Sequence, residues 1–141
     1  MKHAMLDLET FGTEAGCVIR SVGAVQFDPR TPKLGKELYY NIEEEEQIAL
    51  GAFKDPSTVK WWEQQGQSAK DVLLKDQMGL KHVVNSVANF FKDNKIQFVW
   101  AQGSNFDPVL WEATAKLVGC KVPWRFYNTR DTRTVYQTAG F

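Results

Sequence analysis

Apolar residues cluster first into short extended runs and then into helical stripes. His3 to Leu8 reads as a short buried strand, and Val18 to Phe27 as a longer one rich in Val, Ile and Ala. Pro29 and Pro32 set a turn, because each fixes φ and lacks an N–H. Leu34 to Ile42 returns as a third strand, so the first part of the chain predicts an antiparallel meander. Asp55-Pro56-Ser57-Thr58 looks like a helix start, with Asp55 as N-cap and Pro56 at the first helical position. A clearer helix runs from about Leu80 to Asp93, where Leu80, Val83, Val84, Val87, Phe90 and Phe91 form one apolar stripe. Phe98 to Ala101 is a short buried strand. Asp107 to Val118 is a helix with Pro108 near its start and Gly119 past its end. Arg125 to Asn128 is expected as a fifth strand, and Asp131 to Thr138 as a last helical stretch. Strands in a run, then strand–helix alternation, predict an α/β fold: a three-strand antiparallel meander plus parallel strands, flanked by helices.

Composition narrows the class. The chain has 141 residues, enough for one domain with a real core. Its 17 basic and 17 acidic residues cancel, so attraction to phosphate must come from local Lys and Arg or from bound cations. Nine Phe and five Trp leave aromatics to spare for a binding surface. Cys17 and Cys120 are too few for a disulfide framework or zinc site and read as buried small hydrophobes. No apolar run approaches a membrane span, and the N-terminus lacks a signal-peptide core. The expectation is a cytoplasmic single domain. Glu43 to Glu46 reads as a solvated loop or first helical turn.

Side chains alternate across a strand, so Asp7 and Glu9 project from one face while Leu6 and Leu8 take the other. Two carboxylates at the end of a buried strand repel each other and are costly to desolvate, which a divalent cation between them relieves. Hard oxygen ligands select Mg²⁺ or Mn²⁺. The plainer alternative ends the strand at Leu6 and leaves both acids solvated.

Asp7-Leu8-Glu9-Thr10-Phe11-Gly12-Thr13 resembles the first motif of the DnaQ-like, or DEDD, 3′→5′ exonuclease superfamily. Trp100-Ala101-Gln102-Gly103-Ser104-Asn105-Phe106-Asp107 resembles its second, at the expected strand-to-helix turn. Val22-Gly23-Ala24-Val25, Tyr40-Asn41-Ile42, Thr58-Val59-Lys60-Trp61-Trp62 and Pro123-Trp124-Arg125-Phe126 resemble the RNase AS-like, exodeoxyribonuclease VIII-like branch common in phages and prophages. The resemblance implies a ribonuclease-H-like mixed sheet and hydrolysis at the 3′ ends of DNA or RNA. It implies Asp7, Glu9 and Asp107 as catalytic residues holding two divalent cations, Mg²⁺ or Mn²⁺. It also implies substrate contacts by Thr10 and Phe11, with single-stranded or frayed 3′ ends as partners; relatives are often homodimers. Thr10 has an alternative as a turn residue and Phe11 as plain core. Trp61 and Trp62 point about 100° apart on a helix, so one is core and the other is a candidate stacking platform for a base. Arg20, Lys60, Arg125, Arg130 and Arg133 are candidate phosphate contacts or ordinary surface charges. Asn105 serves the turn, and His3 and His82 receive no catalytic role.

The superfamily's third motif asks for a fourth acid preceded by His or Tyr. After Asp107 only Glu112 and Asp131 remain, and Tyr127 stands four residues before Asp131. The preferred reading makes Asp131 a helix N-cap with Tyr127 in the preceding strand. The final helix is then expected to be missing, leaving a truncated domain with three of four acids. A noncatalytic nucleic-acid-binding or interaction module of the same fold is the second reading. A haloacid-dehalogenase-type phosphotransferase fits less well, since it would want Asp where Glu9 stands.

Overall fold

The computed structural model describes residues 1–140. Five strands form one sheet in the order β3-β2-β1-β4-β5. β1 (His3–Thr10), β2 (Ile19–Phe27) and β3 (Leu34–Asn41) make the antiparallel meander. β4 (Phe98–Ala101) adds parallel to β1, and β5 (Thr129–Asp131) parallel to β4. The mixed α/β sheet read from the sequence is the architecture observed.

One face of the sheet carries the main core. Leu6 and Leu8 of β1 and Val22 and Ala24 of β2 point into it, meeting two helices. These are α4 (Leu80–Asp93), through Val83, Val84, Val87 and Phe91, and α5 (Asp107–Leu117), through Leu110, Trp111 and Ala115. Alternation therefore sends Asp7, Glu9, Ser21 and Gly23 to the opposite face. That face is partly covered by α2 (Pro56–Glu63) and α3 (Gln67–Val72), anchored by a smaller cluster of Phe11, Val18, Ala52, Trp62 and Leu73. Asp55 caps α2 by accepting from the Ser57 amide at 2.9 Å, as its position before Pro56 requires.

Several expectations change. β1 continues through Glu9 to Thr10, so the acids lie within the strand and not in a solvated loop beyond Leu6. Arg125 to Asn128 is not a strand: Phe126–Asn128 forms a 3-10 turn closed by the Asn128 amide on the Arg125 carbonyl, and β5 starts at Thr129. Phe126 and Tyr127 are both exposed, which breaks the in–out alternation a strand demands. Cys17 is buried as expected, but Cys120 is only half-buried. The acidic run Glu43 to Glu46 leads into α1 (Glu45–Ala49), and two of its members bond: Glu44 pairs with Lys54 at 2.9 Å, and Glu46 accepts from the Leu80 amide at 2.9 Å.

Gln47 on α1 is fully buried and holds the start of β2 by its side chain alone. Its amide accepts from Ile19 N–H at 2.8 Å and donates to the carbonyls of Ile19 at 2.9 Å and Glu43 at 3.0 Å. Removing it orphans buried backbone groups as well as leaving a void. Gln47→Ala is expected to cost about 2–4 kcal/mol in urea unfolding; a cost below about 1 kcal/mol would contradict this role.

Candidate active site

β1 outruns β4. Their pairing ends at Met5 with Trp100, so the Leu8 amide has no strand partner on that side. Asp107 supplies one: its Oδ2 accepts from Leu8 N–H at 2.9 Å. The loop from β4 to α5 brings this about. Gly103 adopts φ of +103°, a conformation that disfavours a side chain, and Asp107 then opens α5 beside Pro108. The two acidic segments, 99 residues apart in sequence at this bond, meet at one end of the sheet.

The three carboxylates are electrostatically strained. Burial pushes the Asp7 carboxyl above its ordinary range. Glu9 is raised by burial, then by the charges of Asp7 and Asp107, with Arg20 opposing. Asp107 is raised by burial and by Asp7, against the Leu8 hydrogen bond and the Arg133 charge. Such a set fits a hard divalent cation, whose charge would remove both costs. Among the described residues, no three His, Cys, Asp or Glu side chains close tightly enough to hold an ion by themselves. Mg²⁺ commonly keeps several waters and takes one or two carboxylates together with substrate phosphate oxygens, so an open donor set is compatible with it.

A bulge places Arg20. Glu9 pairs with Ser21 but Thr10 pairs with Ile19, leaving Arg20 as the extra residue. This slip sends Ile19 to the core and Arg20 toward Glu9, where its guanidinium lies 4.3 Å from the Phe11 ring centroid and 4.8 Å from that of Trp62. Phe11 is buried beneath Arg20 and Lys54. Thr10 turns its hydroxyl onto the Gly12 carbonyl, a turn contact. Trp62 is the core member of its pair, its indole donating to the Thr10 carbonyl at 2.8 Å, whereas Trp61 is 53% exposed.

Asp131 is occupied elsewhere. Its carboxylate caps α6 (Thr132–Thr138) through the Arg133 amide at 2.9 Å and accepts from the amides of Gly103 at 3.2 Å and Ser104 at 3.0 Å. The Ser104 amide is the largest cause holding its carboxyl below the usual range. Asp131 thus clamps the loop that carries Asp107, while Tyr127 sits in the 3-10 turn accepting from Arg125. Glu112 is exposed on α5 and lines a separate cavity of about 340 Å³ with Trp124 and Phe126. Arg130 lies over Phe98, Lys60 is exposed, and of the five candidate cations Arg20 and Arg133 are those whose charge reaches the acids.

A cleft of about 330 Å³ opens beside Asp7 and Glu9, lined also by Ser21, Gly23, Tyr39, Trp62 and Leu73. Sequence reading missed Ser21, Gly23 and Tyr39. The available signal was β2 alternation, which gives Ser21 and Gly23 the parity of the acids once the register is known.

A carboxyl raised by burial costs the folded state stability once ionised. That cost is absent below the ordinary carboxylate range and grows as pH rises through the raised value. Asp7→Asn removes the charge at constant shape. Without divalent cation at pH 7 its melting temperature is expected to exceed wild type, with the gain fading near pH 4; an equal or lower melting temperature at pH 7 would contradict the strain.

The profile of the 3'-5' exoribonuclease Rv2179c-like domain matches residues 2–140. Among solved structures, E. coli Exonuclease I in complex with a dT13 oligonucleotide matches with a TM-score of 0.67 and 14% identity, covering 97% of this chain. The chain spans 29% of that enzyme's chain, and at this identity the likeness speaks for the fold. No curated protein sequence matches. No helix among the described residues is long and apolar enough to cross a membrane. The match over residues 2–140 shows that this chain belongs to the 3'-5' exoribonuclease Rv2179c-like domain family, and the sheet is consistent with it.

Proposed function

We propose that the domain is a divalent-cation-dependent exonuclease that removes nucleotides from single-stranded or frayed 3′ ends, in the RNase AS-like branch of its superfamily. The observation that carries this reading is the convergence of Asp7, Glu9 and Asp107, each raised above its ordinary range at one sheet end. The family description names exoribonucleases and Exonuclease I holds a DNA oligonucleotide, so the substrate is nucleic acid, with RNA favoured by the profile.

In this reading Asp7, Glu9 and Asp107 hold the cations. Two Mg²⁺ or Mn²⁺ ions supply, when bound, a hydroxide nucleophile and neutralisation of the leaving 3′ oxygen. The protein's own part is placement. The Leu8 amide fixes the Asp107 carboxylate, and the Asp131 clamp fixes the loop behind it. Arg20 and Arg133 offset negative charge on either side of the acids, where a scissile phosphate adds more. The exposed ring of Trp61 offers a stacking surface for a base, while Thr10, bonded to Gly12, and Phe11, buried beneath Arg20, follow the acids along the chain without lining the cleft.

A noncatalytic binding module of the same fold is the second reading. It is favoured by the open donor set and by Glu112 and Asp131 standing apart from the acids. Digestion of 5′-labelled RNA and DNA oligonucleotides separates the two. The exonuclease reading expects a ladder shortening from the 3′ end with Mn²⁺, none with chelator, and at least about a hundredfold loss in Asp107→Asn. Binding without shortening would favour the module.

A further inference from the structure

We infer that Ser21 is a specificity-determining residue, its hydroxyl receiving the 2′-OH of the terminal ribose; the inference rests on the exonuclease reading above. Two cross-strand rows floor the cleft beside the acids. Glu9 stands opposite Ser21, which stands opposite Asn41; Asp7 stands opposite Gly23, which stands opposite Tyr39. All but Asn41 line the cleft.

Apart from the two acids, the polar side chains of this floor are engaged, with one exception among the described residues. Tyr39 donates its hydroxyl to Asn41 Oδ1 at 2.6 Å, and Asn41 donates to the carbonyls of Val72 at 2.6 Å and Lys75 at 2.8 Å. Ser21 is 2% exposed, and among the described residues its hydroxyl has no hydrogen-bond partner. It is also not sealed in: it faces the cleft. A hydroxyl removed from bulk water without a partner is costly, and a ligand hydroxyl that completes it is correspondingly favoured.

Spacing identifies the ligand group. Neighbouring strands lie about 4.8 Å apart, so Ser21 is one strand from Glu9 and Tyr39 two strands, roughly 10 Å, from Asp7. A nucleotide whose phosphate lies at the acids places its sugar one step away and its base two. Gly23 keeps the first step of the Asp7 row free of a side chain; a Cβ there would make ordinary contact with Tyr39 Cδ2 at 3.6 Å. The Tyr39 ring, 55% exposed and fixed by its bond to Asn41, forms the wall against which a base stacks. In this pose the 3′-OH is the ribose hydroxyl turned toward Glu9. The adjacent 2′-OH then meets Ser21, which both donates and accepts.

The test is calorimetric binding of AMP, 2′-deoxy-AMP and 3′-deoxy-AMP with Mn²⁺, to wild type, Ser21→Ala and the near-isosteric Ser21→Cys. Wild type is expected to bind AMP about tenfold tighter than 2′-deoxy-AMP. Both variants are expected to bind these two within about twofold, while the loss on removing the 3′-OH stays as in wild type. Equal wild-type affinities for AMP and 2′-deoxy-AMP, variants that keep the 2′ preference, or variants that lose the 3′ preference instead would each overturn the assignment. Binding is read without turnover, so this result stands apart from the digestion assay that decides the exonuclease reading.

Discussion

The hydrogen bond from the Leu8 amide to Asp107 joins the two halves of the site, and the surrounding architecture serves to make it. Because β4 is shorter than β1, the central strand reaches its acidic end with one side unpaired. A buried amide left there would be unsatisfied, and a carboxylate is the strongest acceptor available for it. The loop between β4 and α5, turned at Gly103 and held by Asp131, delivers that carboxylate. The same contact that completes the backbone bonding of β1 therefore brings a third acid to Asp7 and Glu9.

Strain follows from this placement. Asp107 is buried and Asp7 and Glu9 are more open, yet burial is the first cause of every upward shift, and neighbouring carboxylate charge adds to it at Glu9 and Asp107. Two arginines moderate the repulsion by different routes. Arg20 arrives through a β-bulge that turns it out of the core-facing parity of its strand, and its guanidinium rests on Phe11 and Trp62. Arg133 arrives from the first turn of α6, one helix capped by Asp131. Among the described residues neither makes an ion pair with the acids, which the proposed reading requires to be free for a cation and a phosphate.

Local periodicity made most of the fold legible in the sequence. The α4 stripe from Leu80 to Phe91, the Asp55-Pro56 start of α2 and the alternation in β1 each depend on near neighbours. The shared face of Asp7 and Glu9 was readable for the same reason, whereas Asp107 was picked out by the resemblance of Trp100 to Asp107 to a family motif. What escaped depends on register or on very short segments. The bulge at Arg20 and the row Asp7–Gly23–Tyr39 exist only once strands are paired. α1 and α3, of five and six residues, are too short to show a period, and the 3-10 turn at Phe126–Asn128 imitates a strand by its aromatic content. The preferred reading of Asp131 as a helix N-cap over a motif acid holds, its carboxylate being spent on three backbone amides, while Tyr127 lies in the 3-10 turn and not in a strand.

Asp7, Glu9 and Asp107, brought to one end of the sheet, are proposed to take divalent cations together. Melting temperature as a function of Mn²⁺ tests this directly, because a ligand that binds only the folded state stabilises it by about 2.7 kcal/mol at a hundredfold excess over its Kd. Wild type is predicted to rise steadily with Mn²⁺ through the millimolar range and Asp7→Ala to stay flat. A wild-type curve that does not move, or an Asp7→Ala curve that moves as much, would contradict the account.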